Sequence, residues 1–304
     1  MTSAPEAAVT QGPVVAETRA QLAEALATTR AAGGRIALVS TMGALHDGHA
    51  SLIETAVEHT GPADVVVVSI FVNPMQFGPT EDLARYPRTY EKDLEVCAAG
   101  GVDIVFAPSE DEVYPGGEPQ VTVEPGPLAQ ILEGASRPTH FRGVLTVVAK
   151  LFGLVRPDLA VFGQKDYQQL VLIRRMVEDL CMGIEVVGAE TVREHSGLAL
   201  SSRNRYLDTE QHLQALSLSA GLRAAVEAGE YGGEHALAAA RAVLRRTHGV
   251  ALDYLALTSP DLRDAPESGE ARMLVAARVG ATRLVDNTAL LLGSVGHSVE
   301  QGSN

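Results

Sequence analysis

Along the first two-thirds of the chain, short apolar runs alternate with longer stretches in which apolar side chains recur every three or four residues. The runs at 36–39, 64–72, 103–108, 159–163 and 184–187 have the length of strands, and the stretches between them have the spacing of one helix face. The run at 64–72, Asp-Val-Val-Val-Val-Ser-Ile-Phe-Val, is nearly unbroken β-branched and apolar sequence, which suits a central parallel strand covered on both sides. Helices are expected at 18–30, with Thr18 as cap and Leu22, Ala25 and Leu26 inward; from His49 through Val57; up to Ala99, with Leu94 and Cys97 inward; at 143–155, closed by Pro157; and at 167–180. A turn at 114–117, a short strand at 121–123 and a short helix at 127–132 complete this part.

Past about residue 190 the pattern changes. Two Ala- and Leu-rich amphipathic helices at 208–227 and 234–246 are broken apart by the glycines of 229–233, and three alternating apolar segments follow at 250–257, 273–279 and 283–287. The expected fold is α/β: a Rossmann-like doubly wound parallel sheet over residues 1–190, followed by a smaller α+β domain with an antiparallel sheet over 191–304. Residues 1–16 and the tail from about 294 have little pattern and are expected to be disordered.

Composition narrows the function. The 304 residues are 46% hydrophobic, enough for a sizeable core in two domains. Aromatic residues are 4% and Trp is absent, so Val, Leu and Ala must fill that core. A net charge of −14 argues against a nucleic-acid partner, which needs a basic footprint, and means that an anionic substrate is held by a few placed cations. Cys97 and Cys181 offer no disulfide framework and are expected to be core or near-surface thiols. No Cys/His cluster has zinc spacing, no apolar run is long enough for a bilayer, and the N-terminus has neither the cationic start nor the apolar core of a signal peptide. A cytoplasmic protein without a membrane partner is expected.

The candidate chemistry gathers first at 37–49, Ala-Leu-Val-Ser-Thr-Met-Gly-Ala-Leu-His-Asp-Gly-His. A strand runs into a loop turned by Gly43 and Gly48 and then into a helix, an order that leaves backbone N–H groups and a helix N-terminus for an anion. His46 and His49 flank Gly48 at that entry. The same order recurs where Gly163 ends a strand and Gln164-Lys165-Asp166 opens a helix; Lys165 can reach a phosphate as a point charge, and Asp166 can cap the helix or hold a ribose hydroxyl. In the aperiodic stretch 191–206, Ser201, Ser202 and Arg203 are further phosphate donors. Asn73 and Gln76 are uncharged amides suited to hydroxyl and carboxylate recognition, Asn73 being equally suited to an Asx turn. Arg137, His140 and Arg142 form a cationic cluster that is rare in so acidic a chain.

His-x-Gly-His directly after a strand resembles the ATP-binding motif of the nucleotidylyltransferase superfamily. Together with Ser-Ile-Phe-Val-Asn-Pro-Met-Gln-Phe at 69–77, Arg-Pro-Thr-His-Phe at 137–141, Phe-Gly-Gln-Lys-Asp-Tyr-Gln-Gln at 162–169 and Leu-Ala-Leu-Ser-Ser-Arg-Asn at 198–204, it resembles the pantoate–β-alanine ligase family in order and over most of the chain. The resemblance implies that ATP, pantoate and β-alanine give pantothenate, AMP and pyrophosphate through a pantoyl adenylate. It implies that His46 and His49 act at the α-phosphate, His49 being the usual catalytic assignment, and that Met42 and Gly43 line the ATP site. Gly163, Lys165 and Asp166 would hold ATP, with Lys165 on phosphate and Asp166 on ribose. Val192 would meet adenine, and Ser201, Ser202 and Arg203, with Leu200 beside them, would bind phosphates from the second domain as a lid; these and Lys165 share in catalysis. Gln76 and Gln169 would hold pantoate, with Asn73, Arg137 and His140 also at the pantoate and β-alanine positions. Asp93 is implied with Mg2+ on the phosphates, its helical context equally suiting a plain surface carboxylate, and the whole is implied as a homodimer.

Three positions depart from the family's common residues. Ser40 replaces Pro and is expected to loosen a strand end; Gln164 replaces Glu and removes a charge beside Lys165; Leu200 replaces Met at similar size. Three rival readings are weaker, among them a tRNA synthetase, disfavoured by the acidity of the chain and the lack of an obvious basic tRNA-binding module. An AMP-transferring relative with a phosphate acceptor would want more cations than Gln76 and Gln169 supply, and a nucleotide-binding regulatory module would not need His46, His49, Lys165 and Arg203 intact.

Overall fold

The computed structural model describes residues 12–78 and 83–293. The expectations for residues 1–11 and for the tail from 294 lie outside the described residues. Two units are distinguished: one comprises the chain up to Glu124, Thr139–Phe162 and Val177–Ala189, and the other Pro125–Pro138, Gly163–Met176 and the chain from Glu190.

In chain order the elements up to residue 189 are β1 (Val14–Ala16), α1 (Arg19–Ala31), β2 (Ile36–Thr41), α2 (Asp47–Glu58), β3 (Val65–Ile70), α3 (Tyr90–Ala99), β4 (Ile104–Phe106), α4 (Glu110–Val113), α5 (Glu133–Ser136), α6 (His140–Val155), β5 (Leu159–Gly163), α7 (Tyr167–Asp179) and β6 (Glu185–Ala189). The six strands form a parallel sheet in the order β1-β4-β3-β2-β5-β6. The chain builds outward from β2 through β3 to β4, then crosses over to lay β5 on the other side of β2. The strand order therefore reverses between β2 and β5, and in open α/β sheets ligands gather beyond the strand C-termini at such a point.

β2 and β3 are the interior of this sheet because they are apolar on both faces. Ala37, Val39, Val66 and Val68 pack on one side with Ile53 of α2 and Cys97 of α3. Burial, with a smaller push from the Asp93 charge, raises the Cys97 thiol to about 12, so it is an inert core group. α1 starts where the sequence places it: Thr18 and Gln21 cap it reciprocally.

Four expectations need correction. Val14–Ala16 are not disordered but pair with Ile104–Phe106 as an edge strand. Residues 121–123 form no strand; Val121 is 86% exposed, and the Val123 N–H donates to Thr146 Oγ1 at 3.0 Å instead of to a neighbouring strand. Ser40 loosens nothing, since β2 continues through it in register with Ser69 and on to Thr41. α6 begins at His140 rather than Gly143, which lies inside the helix where it packs closely against the Met75–Gln76 turn. A Cβ there would lie 2.2 Å from Met75 O and 2.7 Å from Gln76 N. Gly143→Ala is expected to destabilise the protein by roughly 1–3 kcal/mol, read as a lower thermal midpoint; an unchanged midpoint would mean that the Met75–Gln76 turn shifts without cost.

In the second unit, α8 (Thr209–Ala228) and α9 (Gly233–Arg246) precede β7 (Val250–Thr258), β8 (Gly269–Val279) and β9 (Thr282–Leu292), which pair antiparallel in that order. Asp208 and Gln211 cap α8 reciprocally, and Gly280, with φ of 57°, turns β8 tightly into β9. Leu218, Leu222, Ala240, Leu244, Met273 and Val275 are among the residues that fill the space between helices and sheet. The segment carrying α5 is tied to this sheet by charge. Arg283 reaches Glu133 Oε1 at 2.8 Å and Asp253 Oδ2 at 2.7 Å, and Tyr254 donates to Glu133 at 2.9 Å. Burial pulls the Arg283 pKa down, but these two carboxylates outweigh it and hold the guanidinium above its ordinary value. Among the described residues no helix is long and apolar enough to cross a membrane.

Candidate active site

Beyond β2 the loop from Met42 to Leu45 is bent by two successive left-handed residues, Gly43 at φ 78° and Ala44 at φ 52°. Such a backbone persists only where its surroundings over-determine it. Asp93, on the first turn of α3 and 1% exposed, supplies that restraint. Its carboxylate accepts from Ala44 N at 3.0 Å, Leu45 N at 2.8 Å and Thr89 Oγ1 at 3.0 Å. In this arrangement Asp93 is a buried clamp on the loop, not the surface carboxylate that its helical context also suited.

The clamped loop delivers His46 and His49 to the start of α2. His46 is the N-cap: its Nδ1 accepts from Gly48 N at 3.1 Å, while His49 Nδ1 accepts from His46 N at 3.3 Å. The rings lie 4.2 Å apart between centroids. Because each Nδ1 accepts a backbone N–H, the proton of each neutral ring sits on Nε2. Both imidazoles therefore carry an Nε2–H donor at a helix N-terminus, where partial positive charge already favours an anion.

Beside this loop, β3 leads into the turn that bears Asn73 and Gln76. Asn73 is 1% exposed and fully engaged: Oδ1 accepts from Met75 N at 3.3 Å and from the Tyr114 hydroxyl at 2.8 Å, and Nδ2 donates to Gly143 O at 3.1 Å and Gln76 Oε1 at 3.2 Å. Of its two sequence readings, the Asx turn is the one this geometry displays. Gln76 is held at the other side by Met42, whose sulfur lies 2.8 Å from Gln76 Nε2. His140 Nδ1 lies 2.9 Å from Gln76 O, and since a carbonyl can only accept, Nδ1 carries the proton there. In this unit Met42, Asn73, Gln76 and His140 are thus brought together. Buried Ser40 Oγ and Ser69 Oγ, side by side in the β2–β3 register, have no hydrogen-bond partner among the described residues.

In the second unit, Gln164–Asp166 form a single 3-10 turn at the head of α7. Lys165 Nζ lies 3.9 Å from Asp166 Oδ1, with the lysine side chain 19% exposed and that of Asp166 59%. Gln164 Nε2 donates to Glu190 at 2.8 Å, a donation that Glu at this position would replace with like charges. Gln169 is half-buried. Its neighbour Gln168 is the structural one, accepting from Glu133 N and donating to Leu128 O and Ile131 O.

The stretch 191–206 has no sequence period because it is a small folded loop. Leu200 N donates to Val192 O at 2.9 Å and Glu194 N to Leu198 O at 2.8 Å, which sets the two expected ATP contacts Val192 and Leu200 opposite each other. Ser201 caps a 3-10 turn from Ser202 to Tyr206, accepting from Arg203 N at 3.3 Å. Glu194 braces the loop, accepting from His212 Nε2 at 2.7 Å, Asn204 Nδ2 at 3.0 Å and Ser196 Oγ at 3.2 Å. Burial pushes its pKa up, yet these partners outweigh burial and hold it below the ordinary 4.5. A depressed carboxylate stabilises the fold above its unfolded pKa and loses that contribution as pH falls through the folded value. Glu194→Gln is therefore expected to lower the thermal midpoint at neutral pH, with the gap to the parent closing below about pH 4.5; a gap independent of pH would refute the assignment.

Asp93, Tyr114, Gly143, Arg272, Asp286 and Asn287 were not singled out as holders of these loops by sequence reasoning. The one signal available was the pair Asp286–Asn287, two polar residues in an otherwise apolar strand pattern.

A parallel sheet whose strand order reverses beside a His-x-Gly-His helix entry defines a Rossmann-like nucleotide-binding α/β protein. The model of the pantoate-beta-alanine ligase family matches residues 14–289. The chain is 64% identical over 299 residues to a pantothenate synthetase of Nocardioides sp., spanning 96% of this chain and 90% of that one, and 57% identical over 275 residues to one of Mycolicibacterium smegmatis, spanning 90% and 87%. The crystal structure of pantothenate synthetase from Thermus thermophilus superposes with a TM-score of 0.84 at 46% identity, covering 90% of this chain and 98% of that one. A Francisella tularensis pantoate-beta-alanine ligase, complexed with beta-gamma ATP and beta-alanine, does so with a TM-score of 0.73 at 35% identity, covering 91% and 97%. The chain belongs to the pantoate–β-alanine ligase family.

Proposed function

We propose that this chain transfers AMP from ATP to the carboxylate of pantoate and passes the pantoyl group to the amine of β-alanine. ATP-dependent ligation of these two substrates is the family's activity. The observation that carries the residue assignment is the pair of Nδ1-anchored histidines, each with its Nε2–H directed by a backbone hydrogen bond on the far side of the ring.

A free carboxylate resists attack by an amine because the departing oxygen is a poor leaving group. In the first step a pantoate carboxylate oxygen attacks the α-phosphorus and the bond to pyrophosphate breaks. Negative charge builds on the α-phosphoryl oxygens, and donors already fixed there stabilise this state more than the ground state. His46 and His49 take that role, with Lys165, Ser201, Ser202 and Arg203 carrying phosphate charge, and Met42, Gly43, Gly163, Asp166, Val192 and Leu200 shaping the nucleotide contacts. Gln76 and Gln169 hold pantoate, with Arg137 and His140 assisting at the carboxylates; Asn73 contributes by fixing Gln76. In the second step the β-alanine nitrogen attacks the acyl carbon, loses a proton and displaces AMP.

Mg2+ on the triphosphate would neutralise charge on the departing pyrophosphate. The donor set fits an ion carried mainly by the nucleotide. Among the described residues no three metal-capable side chains cluster, and Asp93 offers one carboxylate that already accepts three hydrogen bonds. A cytoplasmic homodimer is part of the same reading, and sedimentation equilibrium checks the dimer.

Pyrophosphate release from ATP is the test. The reading expects release that needs pantoate, becomes continuous on adding β-alanine, and yields AMP in equal amount. Release indifferent to pantoate, or ADP in place of AMP, would overturn it.

A further inference from the structure

Asp286 and Asn287 are adjacent on β9, and both are 3% exposed. Neither belongs to a motif that suggests ATP, yet each holds a stretch assigned to it. The Asn287 side-chain amide donates to two successive carbonyls, Gln164 O and Lys165 O, at 2.9 Å each. Its Oδ1 accepts from Arg272 Nε at 2.8 Å. Arg272 in turn donates to Gln164 Oε1 at 3.0 Å and lies 3.9 Å above the Tyr167 ring. On the other side, Asp286 grips Arg193 through both terminal nitrogens, at 2.7 and 2.9 Å, and accepts from Asn287 N at 2.8 Å. Arg193 also donates to Gly197 O at 3.2 Å, inside the loop that carries Ser201–Arg203.

Two donors on consecutive carbonyls stop both peptide planes from rotating. The direction in which Lys165 leaves the turn is then set by β9 rather than by the turn itself. A side-chain amide is the group this requires, because it donates to carbonyls at one end while accepting from a guanidinium at the other. The bidentate Arg193–Asp286 pair fixes the second loop in angle as well as distance. One two-residue step of a strand thus sets both loops in a common frame.

We propose that Asp286 and Asn287, with Arg272, are positioning residues for the nucleotide, holding Lys165 at a fixed separation from the Ser201–Arg203 loop. This rests on the assignment of Lys165 and Arg203 to ATP phosphates. Asn287→Asp keeps the shape and the Arg272 contact but turns a carboxylate oxygen toward two carbonyls. Asp286→Asn keeps the shape but exchanges the charged fork for a single acceptor.

The experiment compares the full chain with Asn287→Asp and Asp286→Asn, measuring the ATP dissociation constant by calorimetry without pantoate, the KM of each substrate, kcat, and the thermal midpoint. The expected result is an ATP dissociation constant and ATP KM raised roughly tenfold or more in Asn287→Asp and less in Asp286→Asn, with the pantoate and β-alanine KM values within about twofold of the parent. ATP affinity within about twofold in both variants, or an equal rise in all three KM values with a fallen midpoint, would overturn the proposal. Should Asn287→Asp fail to fold, Arg272→Lys, which keeps the charge but loses the fork, is expected to show the same ATP-selective loss, and parent-like ATP affinity there would overturn it. Failure of the ligase reading would appear separately, as absence of pantoate-dependent pyrophosphate release from the parent chain.

Discussion

His49→Ala is expected to lower pantoate-dependent pyrophosphate release by about a hundredfold or more, with ATP affinity changed far less. Removing one fixed donor from a developing oxyanion costs on that order, because its worth is realised mainly in the transition state. The side chain has a second role: His49 Nδ1 accepts the His46 N–H. Loss of that cap would disturb the helix entry even in a protein that did no chemistry there. His49→Asn separates the two, since a short amide can still accept the backbone N–H but lacks the donor at the far side of the ring. If the Nε2–H donor matters, Asn restores the thermal midpoint and not the rate. Parent-like rates in both variants would remove His49 from the reaction while leaving the ligase activity in place.

Asp93→Asn is expected to cost about 1–3 kcal/mol of stability and to lower kcat together with it. The native carboxylate offers acceptors on both oxygens, to Ala44 N, Leu45 N and Thr89 Oγ1. An amide has one oxygen, so at least one backbone N–H would face an NH2 group. The left-handed bend at Gly43 and Ala44 then loses its restraint, and the histidines that follow lose their place. The measurement pairs thermal melts with steady-state rates across a Mg2+ titration. A clamp gives a lower midpoint and an unchanged Mg2+ requirement. An unchanged midpoint with a raised Mg2+ requirement would assign the carboxylate to the metal instead.

The candidate residues legible in the sequence are those whose setting is local. His46, His49 and Lys165 stand at a strand–glycine–helix order written within about a dozen residues, and backbone geometry makes that order a candidate anion site before any distant partner is known. The groups that hold those residues were not legible. Asp93 reaches Ala44 across 49 positions, and Asn287 reaches Lys165 across 122. Asn73 shows both cases in one residue: its Asx turn is local and was foreseen as one of two readings, whereas its bonds to Tyr114 and Gly143 came only with the fold.

The alternation of buried strands and amphipathic helices, the change to an antiparallel sheet near the end, and the order of the chemical motifs are all local, because periodicity and capping are properties of neighbouring residues. Whatever depended on a distant partner came only with the fold. Val14–Ala16 became a strand because β4 offered them hydrogen bonds, and 121–123, with similar residues, did not pair with any strand among the described residues, Val123 N–H donating to a side chain instead. Gly143 had to be glycine because a backbone carbonyl occupies the place of its Cβ. A buried amide or carboxylate reads as an ordinary polar residue until the chain folds and shows which N–H and C=O groups it satisfies.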